Sequence, residues 1–116
     1  MTSLVACLST GQGTWNSVSQ LIRQQQWDKV FLITNDFGKQ KFSANAEFVV
    51  VDFNLPLQDI SRAIFSQLQG KVSDLEVAVN ILSGTGKEHM AILSALVKLG
   101  LGIRFVAAGE KGVEEY

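Results

Sequence analysis

Short runs of Val, Ile, Leu and Phe punctuate the chain at Leu4–Leu8, Val30–Thr34, Phe48–Asp52 and Glu76–Leu82, and Gly102–Ala107 makes a fifth. Within each run the apolar residues are continuous rather than alternating, as in strands covered on both faces. The runs therefore predict a parallel sheet buried between two layers.

Between these runs apolar positions recur at helical spacing. Thr14–Gln26 puts Trp15, Val18 and Ile22 on one face, with Leu21 beside it and Gln24, Gln25 and Gln26 at the exposed end. Leu55–Gln69 carries an inner stripe of Leu57, Ile60, Ile64 and Leu68, with Asn54 as the expected N-cap, Pro56 in the first turn and Gly70 past the end. Gly86–Leu99 opens on Thr85-x-x-Glu88, a capping box, and stops at Gly100 and Gly102. The segment from Asn35 to Ala46 is too short for a crossover helix and is expected as a loop or a single turn.

Strand, helix, strand, strand, helix, strand, helix, strand is the order of a Rossmann-like α/β fold. It predicts a three-layer, doubly wound parallel sheet of about five strands in the order 3-2-1-4-5, with right-handed crossovers. Residues 1–116 are expected to form one domain.

Composition narrows the function classes. With 116 residues, 47% of them hydrophobic and 18% charged, the chain can build one core and is not intrinsically disordered. Ten basic side chains against eleven acidic ones leave a net charge of -1, so no cationic field is available for direct binding of duplex nucleic acid. One cysteine, Cys7, and one histidine, His89, make neither an internal disulfide nor a metal centre, and no metal or cofactor is expected. No apolar run approaches the roughly 20 residues that cross a bilayer. No basic and apolar leader precedes the first strand, so no membrane partner and a cytoplasmic location are expected.

The candidate chemistry lies in two loops. Ser9-Thr10-Gly11-Gln12-Gly13-Thr14 follows the first strand and Ser83-Gly84-Thr85-Gly86-Lys87 follows the fourth. In the predicted strand order both reach the crevice outside the carboxyl ends of the strands, where successive connections leave toward opposite faces. Glycine lets the backbone approach a ligand, the helix that follows presents free N–H groups, Ser and Thr add donors and Lys87 adds charge. An anionic, phosphate-bearing ligand is implied.

Two common phosphate motifs are excluded. A Walker A loop would need Gly at Ile81 and Ser or Thr at Glu88, and a dinucleotide fingerprint would need Gly or Ala at Asn16.

The stretch Asn80-Ile81-Leu82-Ser83-Gly84-Thr85-Gly86-Lys87-Glu88-His89-Met90 resembles the signature of CRISPR-associated Rossmann fold (CARF) domains. In that family the fourth strand ends in Asn, a hydrophobic residue and a Thr/Ser-Gly-Gly-Thr-Lys-like turn, facing a first loop of small hydroxyl residues. The resemblance covers roughly residues 3–107, with Gly84-Thr85-Gly86 standing where the family has Gly-Gly-Thr. It implies an antiviral-defence module in which a homodimer binds a cyclic oligoadenylate, both copies of each loop surrounding the ring. A metal-independent ring nuclease is the enzymatic alternative. There the ligand's own 2′-hydroxyl attacks the adjacent phosphate, with Lys87 and a first-loop hydroxyl such as Thr10 as catalytic candidates. A third alternative is an unrelated phosphate-ligand or interaction domain on the same fold.

A dimer is also expected from the third helix itself. Met90, Ile92, Leu93, Ala95, Leu96, Val97 and Leu99 spread around most of its circumference, more than one sheet face can cover. Asn35 is a further ligand contact if the turn after the second strand reaches the crevice. Cys7 is expected as a buried apolar residue and Trp15 as core, with a base-stacking contact to adenine as the alternative its position permits. His89, in the first turn of the third helix near Lys87, is either a general base or ligand contact, or a solvent-facing or dimer-contact residue. No chemistry is assigned to Arg104 or to the acidic tail.

Overall fold

The computed structural model describes residues 2–9 and 12–116. The chain runs through β1 (Ser3–Leu8), a 3-10 turn (Gln12–Thr14), α1 (Trp15–Gln24), β2 (Val30–Thr34), α2 (Asp36–Lys41) and β3 (Glu47–Val50). It continues through α3 (Leu57–Leu68), β4 (Glu76–Asn80), α4 (Gly86–Lys98), β5 (Gly102–Ala108) and β6 (Val113–Glu115). The strands form one sheet in the order β3-β2-β1-β4-β5-β6, parallel throughout except for the antiparallel β5–β6 pair. This is the predicted doubly wound α/β architecture, extended at one edge by a sixth strand.

The pleat divides each central strand between two cores. Val5 and Cys7 of β1, Phe31 and Ile33 of β2, and Val77 and Val79 of β4 pack under Ile60 and Ile64 of α3 and Ile92 and Leu96 of α4. Leu4, Ala6 and Leu8, with Leu32, Ala78 and Val106, meet Val18 and Leu21 of α1 on the opposite face. All six residues of β1 are buried, which explains its continuous apolar run. The two crossover helices on the first face are pinned to each other by a 2.6 Å bond between the Ser61 and Ser94 hydroxyls. No helix among the described residues is long and apolar enough to cross a membrane.

Several boundaries depart from the sequence expectation for local reasons. The third helix of the chain starts at Leu57 with Pro56 at its N-cap, not with Asn54 there. Asn54 N–H instead closes a turn onto Asp52 Oδ1 at 2.9 Å, and the proline keeps Leu55 out of helical geometry. β4 ends at Asn80, two residues early, because the Asn80 side chain turns the backbone. Its amide donates to Val106 O at 2.9 Å, and its Oδ1 accepts from Leu82 N–H at 3.4 Å. The segment after β2 does hold a short helix, capped by Asn35, whose Oδ1 accepts from Gly38 N–H at 3.0 Å. β6 lay outside the prediction because three residues, two of them glutamates, carry no apolar run.

Gly38 is the residue that lets α2 lie against β2: a Cβ built there overlaps Thr34 Oγ1. Thr34 is fully buried, and its hydroxyl has no partner among the described residues. Gly38→Ala is expected to cost about 1–3 kcal/mol through overpacking, measured by urea unfolding. Adding Thr34→Ala should recover part of that loss, and strictly additive losses would contradict the assigned contact.

Candidate functional site

β1 and β4 are parallel neighbours, with Ala6 opposite Asn80. The chain leaves β1 toward the α1 face and leaves β4 toward the α4 face, so the connections part at their carboxyl ends, the place where open α/β sheets take their ligands. The two glycine-rich loops meet there. Ser9 N–H donates to Ser83 Oγ at 2.8 Å across 74 residues of sequence, and both serines are buried.

Each partner of this clasp is held from its own side. Ser9 O accepts from Trp15 Nε1 at 2.9 Å, and the Trp15 ring lies 6.0 Å from Phe37 and 5.8 Å from Phe42. Ser83 O is 2.9 Å from His89 Nε2. A carbonyl can only accept, so this nitrogen carries the proton. Trp15 and His89 thus brace the backbone of the loops.

The start of α4 is partly self-satisfied. Thr85 Oγ1 accepts from Glu88 N–H at 3.3 Å, and Glu88 Oε1 accepts from Thr85 N–H at 3.0 Å, completing the expected capping box. Glu88 is only 7% exposed, so its carboxylate already occupies part of the positive helix end. Of the first-turn amides, those of Gly86 and Lys87 remain for another acceptor. Gly86 and Lys87 are both exposed, and the Lys87 amine rests on Phe53 O at 3.3 Å. An exposed bond of that length exchanges readily for a ligand oxygen.

Gly84 sits at the tightest point, with φ +111. A Cβ there would lie 2.8 Å from Glu88 Oε1, 3.0 Å from Cys7 Sγ and 3.1 Å from His89 Nε2. Despite that proximity, no group of three or more His, Cys, Asp or Glu among the described residues could hold a metal ion. Burial, and secondarily the Glu88 charge, pushes the Cys7 thiol up to about 12, so it stays protonated and is no nucleophile.

The predicted site residues separate accordingly. Ser9 and Ser83 are buried and bonded to each other, and Thr85 is engaged in its cap. Gly13, Gly84, Gly86 and Lys87 are exposed at the mouth. Thr14 is the N-cap of α1 without making a cap bond, and its buried hydroxyl has no partner among the described residues. Asn35 caps α2 and lines a hollow of about 320 Å³ at the ends of β2 and β3. Thr10, Gly11 and the side chain of Gln12 lie outside the described residues. Sequence reasoning missed the bracing roles of Trp15 and His89 and the contact of Lys87 with Phe53. These depend on pairings that local spacing does not encode.

No protein-family model matches the chain, and no curated protein matches it.

Two outcomes test this geometry. Ser83→Ala leaves the buried Ser9 N–H without its acceptor and is expected to lower stability by about 1–3 kcal/mol in urea unfolding; an unchanged midpoint would contradict the clasp. The Cys7 thiol titrates at an ordinary 9.0 when unfolded and at about 12 when folded, so above pH 9 the unfolded state has lost a proton that the folded state keeps. Stability should therefore fall as pH rises from 9 toward 12, with this thiol contributing a slope of about 1.4 kcal/mol per pH unit. Cys7→Ala should remove that component, and an identical slope in the variant would contradict it.

Proposed function

We propose that this chain is a CARF-like module that binds a cyclic oligoadenylate, or a closely similar phosphate-bearing nucleotide, at the loops after β1 and β4. The observation that carries this reading is the clasp itself. Two loops from distant parts of the sequence converge at the switch point of the sheet, joined by the Ser9–Ser83 bond, with glycine backbone and a cation at the mouth. The Gly86 and Lys87 amides, the Lys87 ammonium and the amides at the uncapped start of α1 are the donors a phosphate would meet.

Binding is favoured over ring cleavage by what the loops turn outward. His89 is held on Ser83 O through Nε2 and Glu88 is buried in its cap, so both serve the loop framework. At the mouth stand backbone amides and the Lys87 ammonium, a donor set that holds phosphate.

The proposed assembly is a homodimer through α4. Met90 and Val97, seven residues apart on one helical face, are 62% and 64% exposed, and half-buried Leu93 lies between them. A two-fold partner laying the same stripe against this one would remove it from water and bring two copies of the crevice together.

Cyclic tetra-adenylate is expected to raise the melting temperature at micromolar concentration and to be recovered intact after incubation. Lys87→Ala should weaken binding by about 1–3 kcal/mol without unfolding the chain. Absence of any shift with cyclic tetra- and hexa-adenylate would overturn the reading, and linear products would replace it with the ring-nuclease alternative. Met90→Glu with Val97→Glu should convert a dimer to a monomer in light scattering, and a wild-type monomer would refute the assembly.

A further inference from the structure

Beyond β5 the chain turns back into β6, and past Ile103, which packs against the α4 core, no helix among the described residues lies over the α4 side of these two strands. The residues facing outward there are not those of a solvated sheet face. Phe105 is 38% exposed and Tyr116 78% exposed, joined across the strand pair by Tyr116 N–H donating to Phe105 O at 2.8 Å. Leu82, just before Ser83, is 58% exposed on the other side of a groove of about 450 Å³. The floor between them is Ala107, small enough to leave a slot.

A carboxylate stands behind the Tyr116 wall of this slot, packed against Gly109. Glu114 is the cross-strand partner of Ala107, and its Oε1 accepts from Tyr116 Oη at 3.1 Å. The hydrogen bond to that carboxylate raises the Tyr116 pKa above its ordinary value, so the phenol stays a neutral donor. Arg104, on the opposite face of β5, is paired with Glu76 and Glu115 at 3.3 and 3.1 Å and not with Glu114. An apolar slot with aromatic walls and a carboxylate behind one of them suits a flat, uncharged ring carrying an amino group.

We propose that the groove between Leu82, Phe105 and Tyr116 receives an amino-substituted nucleobase, its exocyclic amine donating to Glu114, while the phosphate of the same ligand sits on the adjoining loop. Two features favour this occupant over a second copy of the chain: the Glu114 carboxylate, bonded to the Tyr116 phenol and in none of the described ion pairs, and the direct passage from Leu82 of the groove into the Ser83–Lys87 turn. The inference rests on the nucleotide reading for its phosphate half and stands alone for its base half.

The test is amide chemical-shift mapping of the full chain with three separate probes: adenosine, inosine and ribose 5-phosphate. Adenosine is expected to perturb Leu82, Phe105, Ala107 and Tyr116. Inosine, which has a carbonyl in place of the amine, should bind more weakly. Tyr116→Ala should weaken adenosine about tenfold through lost stacking, and Glu114→Gln should reduce the preference for adenosine over inosine. Ribose 5-phosphate should perturb Gly84, Gly86 and Lys87 instead. A silent ribose 5-phosphate with the adenosine pattern intact would remove the phosphate half alone. Adenosine without effect at the groove, equal binding of adenosine and inosine, or concentration-dependent shifts of Phe105 and Tyr116 in the free protein would overturn the inference; the last would assign the groove to contact between copies of the chain.

Discussion

A buried hydrogen bond from the Ser9 amide to the Ser83 hydroxyl joins two loops that the sheet alone would only bring near each other. The bond has weight because Ser9 N–H follows a fully buried strand and has lost its access to water. A lost partner there costs the full desolvation penalty, so the geometry of both loops is specified together. Trp15 and His89 then fix the carbonyls of the same two residues, and every exposed group at the mouth takes its position from that frame.

The frame also limits what the mouth can do. Glu88 satisfies one end of α4 with its own carboxylate, so the helix offers fewer donors than a bare N-terminus. Gly84 brings the thiol of Cys7, the carboxylate of Glu88 and the imidazole of His89 close together, yet burial keeps the thiol protonated and the other two are each held by a bond to loop backbone. A cluster that looks reactive by residue type is structural in its hydrogen bonding. What is left outward is backbone amide, glycine and the Lys87 ammonium, a set suited to holding negative oxygens.

Much of this was legible in the sequence because the signals are local or periodic. The continuous runs of β1 and β2 announced double-sided burial, and Thr85-x-x-Glu88 announced the start of α4. The meeting of the two loops followed once the strand order was taken as 3-2-1-4-5, the order the sheet has for its first five strands. Signals that act across the chain were not readable. Asn80 and Val106, or Ser9 and Ser83, are paired only by the finished sheet. The cap of α3 moved because a turn closed by Asp52 competed with Asn54 for the same backbone. β6 is held by pairing to β5 and not by its own apolar content.

The uneven covering of the sheet is the remaining constraint. α1 and α2 cover one face and α3 and α4 the other, but the last crossover is replaced by a hairpin, leaving apolar surface beside α4. The most direct measurement is a crystal structure of the chain with cyclic tetra-adenylate bound. The account predicts phosphate oxygens within hydrogen-bonding distance of the Gly86 and Lys87 amides, with Ser9 and Ser83 still bonded beneath them. Phosphates seated away from both loops, or a clasp broken to admit the ligand, would contradict it.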